Sequence, residues 1–294
     1  MNRKLAFVLG GGGSRGALQV GELYALLENR VHPDLLVGTS VVAVNAAFLA
    51  LNGFSKNGLD LLTAAWHQAA ELDLLPTNYI RLTLLAMLGR SSINPSNRLR
   101  DFFVENGLTP ELRFADLKQT HLIIVSADLN TGKPVLHGES PEDGILDAFL
   151  VSTALPPWVM PVRKQKQYLM DGGAVSNLPI EPALTAGATV IVALDLTDSR
   201  ASFGANNQFG FFLDRFTFAV EQRQVDLELG LANACGIPVL HVGLTGKESI
   251  PLWDFHHADE LITHGYEITR QAISQSEFIQ SGHDEGNALL PNEN

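Results

Sequence analysis

The sequence predicts an α/β fold, a mainly parallel central sheet flanked by helices on both faces. Short apolar runs of strand length alternate with longer apolar stretches of helical period, and glycine clusters separate them. Within the first fifty residues the order strand, turn, helix occurs twice. That repetition puts strands side by side in one direction, with helices covering them.

Residues 4–9 read as a buried strand, stopped by the glycines at 10–13 before a helical pattern through Ala17, Leu18, Leu23, Leu26 and Leu27. Residues 35–37 read as a second short strand, and Gly38-Thr39-Ser40 turns it into an apolar helix over 41–51. Further on, 122–128 reads as a strand, 130–132 as a turn and 135–136 as its hairpin partner. Next come a helix over 142–152 and a short strand over 168–170, ending at Asp171. The runs 189–194 and 237–242 are continuously apolar, as central strands of a parallel sheet are. Residues 199–210 make a polar loop, and 211–234 and 256–276 are amphipathic helix candidates. One domain is expected over 1–280, with 281–294 a polar, poorly ordered tail.

Charge narrows the partners. Lys and Arg number 20 against 32 Asp and Glu, a net charge of -12, and the densest basic group is Arg163, Lys164 and Lys166. Nucleic acid is therefore not an expected partner, because phosphate backbones need clustered cations. An apolar fraction of 46% with 18% charged residues suits a chain with a large core. The single cysteine, Cys235, rules out an internal disulfide framework and a thiolate-rich zinc site, and it fits a reducing, cytoplasmic compartment. The apolar part of residues 1–9 is too short for a secretory leader, and no apolar run is long enough to span a bilayer.

Gly11, Gly13 and Gly16 fit G-x-G-x-x-G between a strand and a helix. A dinucleotide site also wants a carboxylate at the end of the second strand, where Gly38-Thr39-Ser40 stands instead. A phosphate loop wants Lys and Ser or Thr after the last glycine, where Ala17-Leu18 stands. A third reading is an oxyanion site. Successive glycines aim backbone N–H groups into one space, and the following helix N-terminus adds positive potential. Arg15 would fix the loop or add charge. The plain alternative is a tight strand-to-helix turn.

Ser40 sits between an apolar strand and an apolar helix, where a nucleophile elbow projects its hydroxyl out of a sheet. Gly-x-Ser also ends at Ser14, Ser55, Ser91 and Ser140, but only Ser40 has that setting. A helix N-cap would equally explain a serine there. The full elbow carries glycine where Val42 stands, and a β-branched side chain is expected to meet a neighbouring strand or helix, at about 1–3 kcal/mol of overpacking. Asp171, followed by Gly172-Gly173, is a candidate base on a loop, or simply an Asp-Gly turn. A competing Ser-Asp-His order is met by Ser40, Asp195 and His241. No H-E-x-x-H motif or tight His, Asp and Glu cluster suggests a metal.

Taken together, Gly11-Gly12-Gly13-Ser14-Arg15-Gly16, Gly38-Thr39-Ser40 and Asp171-Gly172-Gly173 resemble the landmarks of the patatin-like phospholipases. Ser152-Thr153-Ala154-Leu155-Pro156-Pro157 is similar to the family's small-residue and proline block, and Asn177-Leu178-Pro179 onward to Asp195 resembles the stretch after the family's Asp-Gly pair. The likeness runs over about residues 4–196. It implies a three-layer fold and a catalytic dyad of Ser40 as nucleophile and Asp171 as base. Oxyanion N–H groups would come from Gly11, Gly12 and Gly13, supported by Arg15, with neither cofactor nor metal.

The function so implied is hydrolysis of fatty-acyl esters (phospholipid, lysophospholipid or neutral lipid) through an acyl-enzyme, with transient contact to a membrane surface. Its alternative is a catalytically impaired lipid-binding or regulatory protein on the same fold, because Val42 replaces the elbow glycine. The apolar residues within 72–88 fit a core helix or a lid over a lipid pocket.

Overall fold

The computed structural model describes residues 3–72, 93–156, 159–198, 208–244, 250 and 254–276. Its sheet comprises β1 (Leu5–Leu9), β2 (Leu35–Thr39), β3 (His121–Asp128), β4 (Lys133–His137), β5 (Val162–Lys164), β6 (Gln167–Asp171), β7 (Val190–Asp195) and β8 (Val239–Gly243). The order is β5-β6-β3-β2-β1-β7-β8, with β4 also on β3. From β3 to β8 every pair in that order is parallel, while β3–β4, β3–β6 and β5–β6 are antiparallel. The helices are α1 (Gly16–Glu28), α2 (Ala43–Asn52), α3 (Lys56–Glu71), α4 (Ile93–Glu105), α5 (Ile145–Ser152), α6 (Ile180–Thr185), α7 (Gln208–Ala234) and α8 (Ala258–Ser274).

Alternation along β1 sorts its side chains into two cores. Leu5, Phe7 and Leu9 pack with Leu18 of α1, Phe48 of α2, Leu62 of α3, Phe103 of α4, Phe149 of α5 and Leu261 of α8. Ala6 and Val8 face the other way, onto Ile180 and Ala183 of α6 and Val225 and Ala232 of α7. The sheet is thus covered on both faces, which is why β1 and β2 are apolar and buried at nearly every position. The thicker layer is locked where α1 crosses α8. A Cβ on Gly21 would overlap the Ile262 carbonyl, and one on Gly265 would overlap that of Leu18, so the two backbones touch only because both residues are glycine.

Several elements depart from expectation. The run at 237–242 reads as a central strand, yet β8 closes the sheet as an edge strand with His241 exposed. A short apolar run carries no mark of which neighbour it will have. The helices α3, α4 and α6 and the strand β5 are additions to the predicted elements. Ser55, one of the Gly-x-Ser serines, caps α3 by accepting the Gly58 N–H at 3.2 Å. The helix α7 begins at Gln208, inside the segment read as polar loop. Residues 73–88 and the expected tail 281–294 lie outside the described residues.

One detail of the sheet brings the serine and the aspartate together. On one edge of β3, β2 pairs with His121 to Val125 and β6 takes over from Ser126 to Asp128, while β4 holds the opposite edge. Thr39 stands opposite Val125, and Asp171 stands opposite the next residue, Ser126. The last residue of β6 and the residue after β2 therefore meet end to end.

Candidate active site

Ser40 leaves β2 with φ +64, in the left-handed region that a side chain rarely adopts, and opens a turn that runs into α2. Holding a non-glycine residue there costs about 1–3 kcal/mol, which the surroundings must offset. They do so with hydrogen bonds. The Ser40 N–H donates to Ser152 Oγ at 3.0 Å, Ser152 Oγ donates to the Val125 carbonyl at 2.7 Å, and Thr39 Oγ1 donates to the Ser176 carbonyl at 3.2 Å.

Ser40 Oγ donates to Asp171 Oδ2 at 2.6 Å. Asp171 is only 3% exposed, and its other oxygen accepts the Gly173 N–H at 2.8 Å. Its own N–H donates to the Ala154 carbonyl at 3.0 Å. The block 152–154 thus holds both partners, Ser40 through Ser152 and Asp171 through Ala154. Burial pushes the Asp171 carboxyl up to about 6, against the opposing hydrogen bonds from Ser40 and Gly173. Such a group is ionised at neutral pH and still basic enough to take a proton.

The glycine loop succeeds β1. Gly10 N–H donates to the Leu194 carbonyl at 2.9 Å, and Gln19 Nε2 bridges the carbonyls of Gly10 and Leu194 at 3.1 and 3.0 Å. Arg15, buried, reaches back with Nε to the Gly12 carbonyl at 3.3 Å. Of the three glycines expected as oxyanion donors, Gly11 has its N–H committed to the Asn177 carbonyl at 2.8 Å. The N–H groups of Gly12 and Gly13 have no acceptor among the described residues. The set of available donors therefore narrows to two.

Gly11, Gly12, Gly13, Ser40 and Asp171 line one cleft of about 240 Å³. The rest of its wall is mainly apolar, with Val41, Leu99, Leu155, Val159, Phe216 and Val220. Glu221 of α7 also faces it, with its carboxyl raised by burial while Arg15 pulls the other way.

Val42 packs against the last glycine of the loop. It is fully buried, and its Cγ2 and the Trp66 ring occupy the space that a Cβ on Gly16 would need. The last glycine of the loop makes the room that the missing elbow glycine would otherwise have left. Trp66 in turn donates from Nε1 to Asn45 Oδ1 at 2.9 Å, and Asn45 Nδ2 donates to the Gly16 carbonyl at 3.0 Å.

The competing triad does not assemble. His241 Nε2 and Asp195 Oδ2 do approach at 3.0 Å. But β8 lies three strands from β2, which at the usual strand spacing is roughly 14 Å. Among the described residues no group of three or more His, Cys, Asp or Glu is placed to hold a metal ion. None of the described helices is long and apolar enough to cross a membrane. Gln19, Ser152 and Asn177 are the residues of the site that local reading did not assign a role. Their signal is faint, a polar residue in an otherwise apolar stretch for Gln19 and Ser152.

A family model described as patatin-like phospholipase matches residues 7–184. Patatin-like phospholipase domain-containing protein 7 of Rattus norvegicus is 29% identical over 65% of this chain and 13% of its own length. An uncharacterized NTE family protein of Mycobacterium tuberculosis is 30% identical over 71% of this chain and 32% of its own length. The chain thus spans less than a third of these curated relatives. Among solved structures, VipD from Legionella pneumophila superposes with a TM-score of 0.50 at 15% identity, covering 94% of this chain and 67% of that one. That likeness concerns the fold alone. With the glycine loop, the elbow serine and the Asp-Gly turn inside the matched segment, the chain belongs to the patatin-like phospholipase family.

Proposed function

We propose that the protein is a serine acyl hydrolase acting on fatty-acyl esters, with Ser40 as nucleophile, Asp171 as general base and the Gly12 and Gly13 N–H groups as oxyanion donors. The observation that carries this reading is the 2.6 Å hydrogen bond from Ser40 Oγ to Asp171 Oδ2 in a cleft with apolar walls. As Oγ attacks the ester carbonyl carbon, its proton passes to Asp171 and the carbonyl electrons move onto oxygen beside the glycine loop. Collapse expels the alkoxide, which takes the proton from Asp171 and leaves as the alcohol. Water then attacks the acyl-Ser40 ester, gives its proton to Asp171, and collapse returns that proton to Oγ and releases the acid.

The substrate on this reading is a phospholipid, a lysophospholipid or a neutral lipid, whose acyl chain the apolar wall would take up. Exposed Phe211, Phe212 and Phe216 on α7, of which Phe216 also lines the cleft, suit brief contact with a lipid surface. The test is covalent labelling by a fluorophosphonate together with turnover of short- and long-chain esters. Label on Ser40 and loss of turnover by several orders of magnitude in Ser40→Ala and Asp171→Asn are expected, and full activity in either variant would end the assignment. The impaired-enzyme alternative has less support, since Val42 fits beside Gly16. It requires Val42→Gly to restore hydrolysis to an inactive parent.

A further inference from the structure

A second, smaller cavity of about 30 Å³ lies behind the cleft wall, between α2, α3 and α4. Phe48, Leu62, Ala69, Phe102 and Phe103 are among its lining residues. Its two polar neighbours are turned elsewhere. Trp66 donates to Asn45, and the Asn106 amide donates to the Phe102 carbonyl at 2.9 Å and to Gln68 Oε1 at 3.0 Å. A cavity lined by carbon offers water few partners and suits apolar groups.

Val41 and Leu99 line both this cavity and the cleft. They form a partition one side chain thick, and Val41 comes directly after the nucleophile. On the hydrolase reading, we infer that the acyl chain held at Ser40 runs between Val41 and Leu99 into the second cavity, and that these two residues set the acyl-chain length the enzyme prefers. A rotamer change of Leu99 is the movement required, and leucine has staggered alternatives within reach.

Straight-chain p-nitrophenyl esters, from acetate upward, test this in the 294-residue chain. Each methylene that reaches the cavity should raise kcat/KM about fourfold until the space is filled. Ala69 lines this cavity and not the cleft, so in Ala69→Leu acetate turnover should persist while the gain with longer chains disappears. Leu99→Ala widens the partition and should move the optimum the opposite way, to longer chains, so a misfolded Ala69→Leu would not blunt the test. A second readout does not need turnover. With Trp158 and Trp253 replaced by phenylalanine, Trp66 alone fluoresces, and a medium-chain fatty acid carrying a terminal bromine should quench it, less so in Ala69→Leu. Ester turnover with the same chain-length profile in all variants and no quenching would overturn the inference and leave the hydrolase standing. Quenching that Ala69→Leu abolishes, with no ester turned over by the parent, would uphold the cavity and remove the hydrolase.

Discussion

Asp171 should cost stability in return for its role, and the cost can be worked out. Its carboxyl is raised from 3.8 to about 6 because it is buried, so well below 3.8 both folded and unfolded chains carry the proton and the residue is neutral to stability. Between those values the folded chain holds a proton that the unfolded chain has released, and stability falls as pH rises. Above about 6 the difference is complete, and a rise from 3.8 to about 6 corresponds to about 3 kcal/mol. Asparagine keeps the shape and both hydrogen bonds: its Oδ1 still accepts the Gly173 N–H, and its amide can donate to Ser40 Oγ. Asp171→Asn should therefore stabilise the fold by up to about 3 kcal/mol at pH 8, roughly 5–10 °C in Tm for a domain of this size, with the gain shrinking to about 0.5 kcal/mol at pH 4. Denaturant titrations of both proteins at pH 4 and pH 8 measure it. A variant less stable than the parent at pH 8, or a difference that ignores pH, would refute the reasoning.

Three further outcomes are expected. The rising limb of kcat/KM against pH should have its midpoint near about 6 and fall tenfold per unit below it, since Asp171 must be ionised in the free enzyme to accept the Ser40 proton; a limb near 4 would contradict this. Ser152→Ala leaves the Ser40 N–H and the Val125 carbonyl without their shared partner, so a loss of about 1–3 kcal/mol in stability is expected, with kcat falling more than KM changes. Gly265→Ala drives a methyl group into the Leu18 carbonyl and must push α8 off α1, costing about 1–3 kcal/mol in a denaturant titration without altering the ester profile.

The parts of this fold that could be read from the chain alone are those written in neighbouring residues. A glycine run after an apolar strand, a serine at a strand-to-helix junction and an aspartate before two glycines are local statements, and the structure keeps Ser40 and Asp171 in one cleft. The hidden part is nonlocal. Gln19 bridges carbonyls at the ends of β1 and β7, Ser152 ties β3 to the elbow across more than a hundred residues, and Asn177 Nδ2 reaches the Gly11 carbonyl. Each is a single polar side chain whose partner is chosen only once the sheet has formed. Val42 shows the same limit from the other side. As an isolated position it breaks the elbow pattern, and only the contact with Gly16 reveals how it is accommodated.

The end-to-end meeting of β2 and β6 along β3 has a consequence for how such a protein can change. The gap between Ser40 and Asp171 is one step of a backbone ladder, fixed by a strand that belongs to neither. Chain inserted, trimmed or exchanged between α2 and β3 reshapes the walls of the cleft without touching the strand that sets that step. On the proposed mechanism, substrate range and chemical competence are thereby uncoupled, because helices α3 and α4 can be resculpted while Ser40 and Asp171 keep their spacing.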